Sequence, residues 1–284
     1  MAKLLVCIDG SAYADNLCTN AAWVAKQING EIDLLHVMRR SSDYEAPTDH
    51  TGLMGLEARS NLLEELTKVD EERGRLDQEK GKIILEHGAK ILQKSGVETI
   101  NLIHRRGSLV ETIQEFEDSA EMIFMGKRGE HANKNSIFLG SNLEKVARAL
   151  HKPLFIVSSI IRPIKRFLIA YDGKASVRKA IDYIADQPLL GKGLECHLLV
   201  VERKKGEIET SESIQKLEKA GFKTSLKVEQ SPHVDQVIAS YVKENEIDLL
   251  ITGAYSHSRM HSLLLGSTTA SLIKDCKIPL LLFR

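Results

Sequence analysis

The chain has 284 residues, the length of two ordinary domains, and each half is long enough to bury a core of its own. Its 39 basic and 39 acidic side chains cancel to a formal net charge of +0, so no global field draws it to nucleic acid or to an anionic membrane. Hydrophobic residues at 43% and charged residues at 27% fit a soluble globular protein, and no apolar run approaches the length of a membrane span.

In chain order, the first element is a buried strand, Lys3 to Asp9 (KLLVCID), ending in a carboxylate. Its apolar run is too short for a signal-peptide core, which predicts a cytoplasmic protein. A Ser/Ala-rich turn and an amphipathic helix with Trp23 and Val24 follow, then a second strand, Glu31 to Met38. An insertion of roughly residues 39–95 comes next. It opens with the loop SSDYEAPTDHTG and continues as a charged helix with apolar residues at Leu62, Leu66, Val69, Leu76 and Ile83. Those positions partly follow a heptad, so a partner helix and a homodimer through it stay open. The favoured expectation is a solvated helix that packs one stripe on its own domain. Gly74, Gly81 and Gly88 weaken any long rigid coil.

A third strand, Glu98 to His104, leads through Arg-Arg-Gly to a helix over Leu109 to Glu117. The fourth strand, EMIFM, ends at Gly126, and the fifth, PLFIVSS, starts at Pro153. The second half repeats the order. A strand ends at Asp172, a helix runs from about Ser176 to Ala185, and a strand ends at Val201. FKTSLKVE, a helix over Val234 to Lys243, a strand ending at Gly253 and PLLLFR after Pro279 complete it. Strand and helix runs that alternate predict parallel sheets covered on both faces, and apolar central strands agree. Ser141 to Pro153 and Ser267 to Pro279 have equal spacing, which argues for duplication. The expected domains are residues 1–158, including the insertion, and 163–284. Cys7, Cys18, Cys196 and Cys276 are scattered without a C-x-x-C pair and read as structural.

Both halves carry a strand ending in Gly, a polar loop, and Gly-Ser opening a helix: Gly126 to Gly140-Ser141, and Gly253 to Gly266-Ser267. Glycine lets backbone approach a ligand at the carboxyl end of a parallel strand. The helix start adds free N–H groups and a hydroxyl suited to phosphate, although each Ser also reads as a simple N-cap. The chain has neither a P-loop pattern nor G-x-G-x-x-G after its first strand.

These residues resemble those of a tandem universal stress protein, two UspA-type domains in one polypeptide. The resemblance implies an α/β fold of two tandem doubly wound, Rossmann-like domains related by an internal pseudo-twofold. Each domain would hold a five-stranded parallel sheet of order 3-2-1-4-5. It also implies a pattern G-x2-G-x9-G-[ST] that binds ATP or a related adenine nucleotide. The nucleotide would lie near Asp9, Val37, Gly107, Gly126, Gly129, Gly140 and Ser141 in half one. Its counterparts in half two would be Asp172, Val201, Gly253, Ser256, Gly266 and Ser267. Half one spaces Gly129 from Gly140 by ten residues instead of nine, and half two has Ser256 in place of the second Gly. Lys127, Arg128 and Lys134 add positive charge in half one; His257 and Arg259 are candidates in half two. Gln230 is read as the counterpart of Gly107.

No catalytic constellation and no metal-ligand spacing appears, and a Mg²⁺ would accompany ATP on its phosphate oxygens. The expected role is a nucleotide-binding regulatory module in the stress response, acting through protein partners that the sequence does not name. Its alternatives are an interaction scaffold and a slow ATPase. The resemblance further implies that PLFIVSS pairs with PLLLFR inside one chain.

Overall fold

A computed structural model describes residues 2–38, 56–130, 141–158, 163–186, 190, 191, 193–202, 206 and 208–254, and 267–284, with backbone alone at 56–63, 141 and 267. Half one contains β1 (Lys3–Cys7), α1 (Ala14–Ile28), β2 (Glu31–Met38), α2 (Leu56–Lys94), β3 (Ile100–Arg106), α3 (Leu109–Glu117), β4 (Met122–Gly126), α4 (Ser141–Ala149) and β5 (Leu154–Val157). Half two contains β6 (Arg166–Tyr171), α5 (Ala175–Asp186), β7 (Glu195–Glu202), α6 (Ser211–Lys219), β8 (Lys223–Gln230), α7 (Val234–Glu244), β9 (Leu249–Gly253), α8 (Ser267–Asp275) and β10 (Leu280–Phe283). Among the described residues, no helix is long and apolar enough to cross a membrane.

The strands form one ten-stranded sheet of order β3-β2-β1-β4-β5-β10-β9-β6-β7-β8. Within each half this is the expected 3-2-1-4-5 order, with parallel neighbours. The halves meet at the antiparallel β5–β10 pair, where Leu281 faces Phe155. The anticipated pairing of the fifth strands is therefore present, and it sets the pseudo-twofold. Burial follows position in the sheet. β5 and β10 are buried throughout, whereas the edge strand β8 leaves Leu226 and Val228 exposed.

The sheet separates two apolar layers that both run across the two halves. One lies under α1, α2, α5 and α6, and the other under α3, α4, α7 and α8. At the junction Phe124 stacks on Phe155 at 4.9 Å, and Tyr183 of half two donates to Glu121 O of half one at 2.8 Å. Lys127 donates to Lys274 O at 2.7 Å and Cys276 O at 2.8 Å, at the carboxyl end of α8. Arg284 in turn donates to Arg148 O and Leu150 O at the end of α4. Each cation answers the negative pole of the other half's helix. Cys18, Cys196 and Cys276 are buried, and burial pushes their thiols up, that of Cys276 to about 11.

Helix α2 corrects one expectation. Its apolar heptad does not face the domain: Val69, Leu76 and Ile83 are 60%, 53% and 67% exposed. The packing stripe is made of the glycines together with Leu85 and Leu92, which are 4% and 0% exposed. A Cβ on Gly88 would come within 2.6 Å of Ile8 Cδ1, and one on Gly81 would collide with His104 Nε2. One on Gly74 would stand 3.1 Å from Arg106 Nη2. Spacing of seven keeps these three on one face, and the missing side chains let the helix axis settle onto the sheet. At 39 residues the helix is about 58 Å long, while the eight-residue β2 spans about 26 Å. Gly74 already lies over the last residue of β3, so Glu64 to Arg73, all exposed, continue beyond the carboxyl edge of the sheet.

Candidate functional site

In each half the strand-end residues of the proposed set that the structure describes lie at the carboxyl edge of the sheet. Asp9 leaves β1 and turns the chain: its Oδ1 accepts from Ser11 N at 3.1 Å, and its Oδ2 accepts from Glu130 N at 3.0 Å. The second bond ties the segment after β4 to the end of β1. Gly129 is close enough that a Cβ would stand 3.1 Å from Asp9 Oδ2. At Gly126 a Cβ would meet Tyr13 Cβ at 3.1 Å and Arg128 O at 3.4 Å. The structure thus brings Asp9, Gly126 and Gly129 together. Val37 is half-buried near the end of β2, in register with Arg105. Gly107 has φ +150 and donates to Met38 O at 2.9 Å, a conformation that favours glycine.

Half two repeats the frame. Asp172 Oδ1 accepts from Lys174 N at 3.1 Å, and Lys174 Nζ stands 3.4 Å from Oδ2. A Cβ on Gly253 would collide with Ser176 Oγ at the start of α5. Thr269, in the first turn of α8, donates to Gly253 O at 3.1 Å and so ties that helix to the end of β9. Val201 is half-buried at the end of β7, in register with Glu229.

Gly140, Ser256 and Gly266 lie outside the described residues, as do Lys134, His257 and Arg259. Ser141 and Ser267 are the first residues of α4 and α8, as expected, and their side chains lie outside the described atoms.

Two assignments from sequence change. Lys127 does not supply charge to the loop that follows it, because its ammonium is held by two carbonyls of the other half and burial pushes its pKa down. Gln230 is not the counterpart of Gly107. Met38 pairs with Arg106 and Glu202 with Gln230, so Gln230 matches Arg106. The counterpart of Gly107 is Ser231, which donates to Glu202 O at 3.2 Å as Gly107 does to Met38 O.

Four residues at the sites carried no sequence signal. In half one, a Cβ on Gly10 would stand 3.0 Å from Glu130 Oε2, so this carboxylate lies against the residue after Asp9. Lys80 of α2 pairs with Glu130 from the other side. In half two, the buried Glu202 accepts from Gly206 N at 2.8 Å and Ile208 N at 2.9 Å. Ile208, held by this bond, puts its Cγ2 3.1 Å from where a Cβ on Gly173 would be. Glu130 and Lys80 come from distant segments, and Ile208 is placed by a buried carboxylate; no local pattern marks any of them.

The insertion also walls a cleft of about 560 Å³ at the ends of β2 and β3, lined by Met38, Thr67, Asp70, Gly74, Gln78 and Arg106 among others. Beside it His36 and His104 lie in register, with ring centroids 5.5 Å apart. His36 Nδ1 bonds Ile8 O at 2.9 Å, whereas His104 Nε2 is buried without a partner. Burial, His36 and Lys82 together hold His104 below its ordinary 6.5. Among the described residues, no three His, Cys, Asp or Glu side chains converge as a metal site would need. Each half therefore sets one carboxylate acceptor beside glycines that let neighbouring segments approach closely at the strand ends.

Comparison with known proteins follows the duplication. The profile of the universal stress protein family matches residues 1–158 and again residues 163–284. The chain is 33% identical over 291 residues to Universal stress protein Slr1230 of Synechocystis sp. (strain ATCC 27184 / PCC 6803 / Kazusa), covering 100% of both. Among solved structures it resembles a universal stress protein from Archaeoglobus fulgidus DSM 4304, with TM-score 0.68 and 20% identity, covering 99% of this chain and 96% of that one. A functionally unknown protein from Pseudomonas aeruginosa PAO1 matches with TM-score 0.63 and 17% identity, covering 100% and 92%.

Proposed function

Because this chain belongs to the universal stress protein family, we propose that it is an adenine-nucleotide-binding regulatory protein with one site at the carboxyl edge of each half. The observation that carries this reading is the convergence of Asp9 with Gly126 and Gly129, repeated by Asp172 and Gly253. In half one a Cβ on Gly129 or Gly126 would stand only 3.1 Å from Asp9 Oδ2 or Tyr13 Cβ, so the missing side chains let the backbone after β4 lie against the end of β1. Asp9 and Asp172 would accept from ribose hydroxyls, with Val37 and Val201 beside the base. The first turns of α4 and α8, at Ser141 and Ser267, would present N–H groups to phosphates. Gly107, Gly140, Ser256 and Gly266 complete the proposed set. A Mg²⁺ would ride on the phosphate oxygens. Bound nucleotide would then alter the contacts this protein makes with others.

One observation favours the scaffold reading: each gap after the strand-one carboxylate is already covered by the chain itself, by Glu130 at Gly10 and Ile208 at Gly173. Thermal unfolding with and without ATP separates the two. A ligand at 100 times its Kd stabilises the fold by about 2.7 kcal/mol, a rise of several degrees in Tm. An unmoved Tm at millimolar ATP would leave the scaffold.

A further inference from the structure

We propose that Lys80, on the inserted helix, is a phosphate-binding residue of the half-one site, and that Glu130 occupies its ammonium until a ligand's phosphate replaces the carboxylate. This rests on the nucleotide reading of that site.

Lys80 is delivered from a fixed point. The next residue, Gly81, is pressed onto His36 and His104, where a Cβ would collide with one ring and stand 2.9 Å from the other. That contact sets both the height and the rotation of α2 above the carboxyl edge. The Lys80 side chain then reaches down to Glu130, which lies against Gly10 and whose own N–H is on Asp9 Oδ2. Ammonium, carboxylate and strand-one aspartate are thus consecutive groups in one short chain of contacts. A nucleotide whose ribose hydroxyls bonded Asp9 would meet Glu130 next to that carboxylate.

Charge points the same way. A phosphate and the Glu130 carboxylate cannot share this space without repulsion, and an ammonium already placed there suits either anion. Lys127, next to Gly126, is committed to the end of α8 and cannot serve. A plain surface ion pair would explain the Lys80–Glu130 contact but not its place, on the residue after Asp9 and against a glycine whose missing Cβ leaves the room. Half two has no long inserted helix. It covers the same position with the apolar Ile208, so this exchange belongs to half one.

The experiment titrates the full chain with ATP and with adenosine by calorimetry, for the wild type, Lys80→Met and Glu130→Gln. Lys80 and Glu130 both reach solvent, with side chains 51% and 29% exposed, so neither change threatens folding; unliganded melting checks this. Lys80→Met is expected to weaken ATP at one site about tenfold, the loss of one charge-assisted contact. Glu130→Gln is expected to tighten ATP at the same site several-fold by removing the competing charge. Adenosine, which has no phosphate, is expected to respond to neither. Two-site ATP binding that neither change alters overturns the role of Lys80 while the nucleotide reading stands. Equal weakening of ATP and adenosine by Lys80→Met also overturns it, because the side chain would then serve structure or the base. Binding of neither ligand by any of the three proteins overturns both readings together.

Discussion

In both halves Asp-Gly follows the first strand, and the two halves cover that glycine in different ways. Half one lays Glu130 against Gly10 and pins it with Lys80 from a helix that half two lacks. Half two bonds Gly206 N and Ile208 N to the buried Glu202 and sets Ile208 over Gly173. One cover is charged and can be exchanged for another anion; the other is apolar and must be moved aside. The strands dictate where the gap lies, while the connections between them decide what fills it.

The comparison assumes that the halves share one folded unit. The largest effect should come from testing that. Phe155 is fully buried, stacked on Phe124 and paired with Leu281 across the junction. Phe155→Ala is expected to cost about 3–5 kcal/mol and to lower a single unfolding transition. A melt that split in two, with half two unmoved, would break the comparison.

Next in size is the docking of α2. Gly81→Leu adds a side chain where a Cβ alone already meets two imidazoles, and is expected to cost about 1–3 kcal/mol despite the better helix former. Gly74→Ala is expected to go the other way, gaining up to about 1 kcal/mol of helix propensity, because the Arg106 guanidinium at 3.1 Å sits on a flexible chain. Chemical denaturation of the pair checks the opposite signs. If Gly81→Leu stabilised the protein, the packing stripe would be misplaced.

Lys127→Ala is expected to cost about 1–2 kcal/mol by stripping two carbonyls at the end of α8 of their donor. Hydrogen exchange should speed up in the last turn of α8, in the half that was not altered. The equivalent position in half two is Ala254, whose N–H bonds Phe283 O as that of Lys127 bonds Val157 O. That half uses Arg284 in place of a lysine, and Arg284→Ala should loosen the end of α4 in the same way.

The smallest effect is on pH. His104 titrates below 6.5 when folded, because burial, His36 and Lys82 disfavour its cation. Above 6.5 it is neutral in both states and its full contribution is present. As pH falls from 6.5, the unfolded chain takes up the proton first, and stability drops until the folded pKa has been passed. His197, shifted the same way by burial, adds to the slope, so His104→Gln should flatten it without abolishing it. A slope untouched by this change would place the linkage elsewhere.

Much of this fold is legible in the sequence because its signals are local. Apolar strand runs, their alternation with helices and the two Gly-to-Gly-Ser segments give the element order, and the family resemblance gives the strand order. What escaped depends on contacts between distant segments. The heptad of glycines in α2 reads as helix weakness until the sheet beneath it is known. The apolar heptad beside it reads as a packing face, yet Val69, Leu76 and Ile83 point outward. Sequence alone matches Gln230 to Gly107, one residue out of register, because ladder pairing is not written in either strand alone. Lys127 reads as a loop cation, since nothing local shows a helix end from the other half. Asp9, Gly126 and Gly129 come together as expected, but Glu130 and Lys80, which fill the gap beside them, share no pattern.

The most direct measurement is of what the protein carries. The full chain would be purified without added nucleotide and denatured, and the released small molecules identified and counted by chromatography and mass spectrometry. An adenine nucleotide at one to two per chain, reduced by Asp9→Ala and by Asp172→Ala separately, is the expected result. A chain that releases none, and that takes up none when ATP is supplied before purification, would contradict the account at its centre.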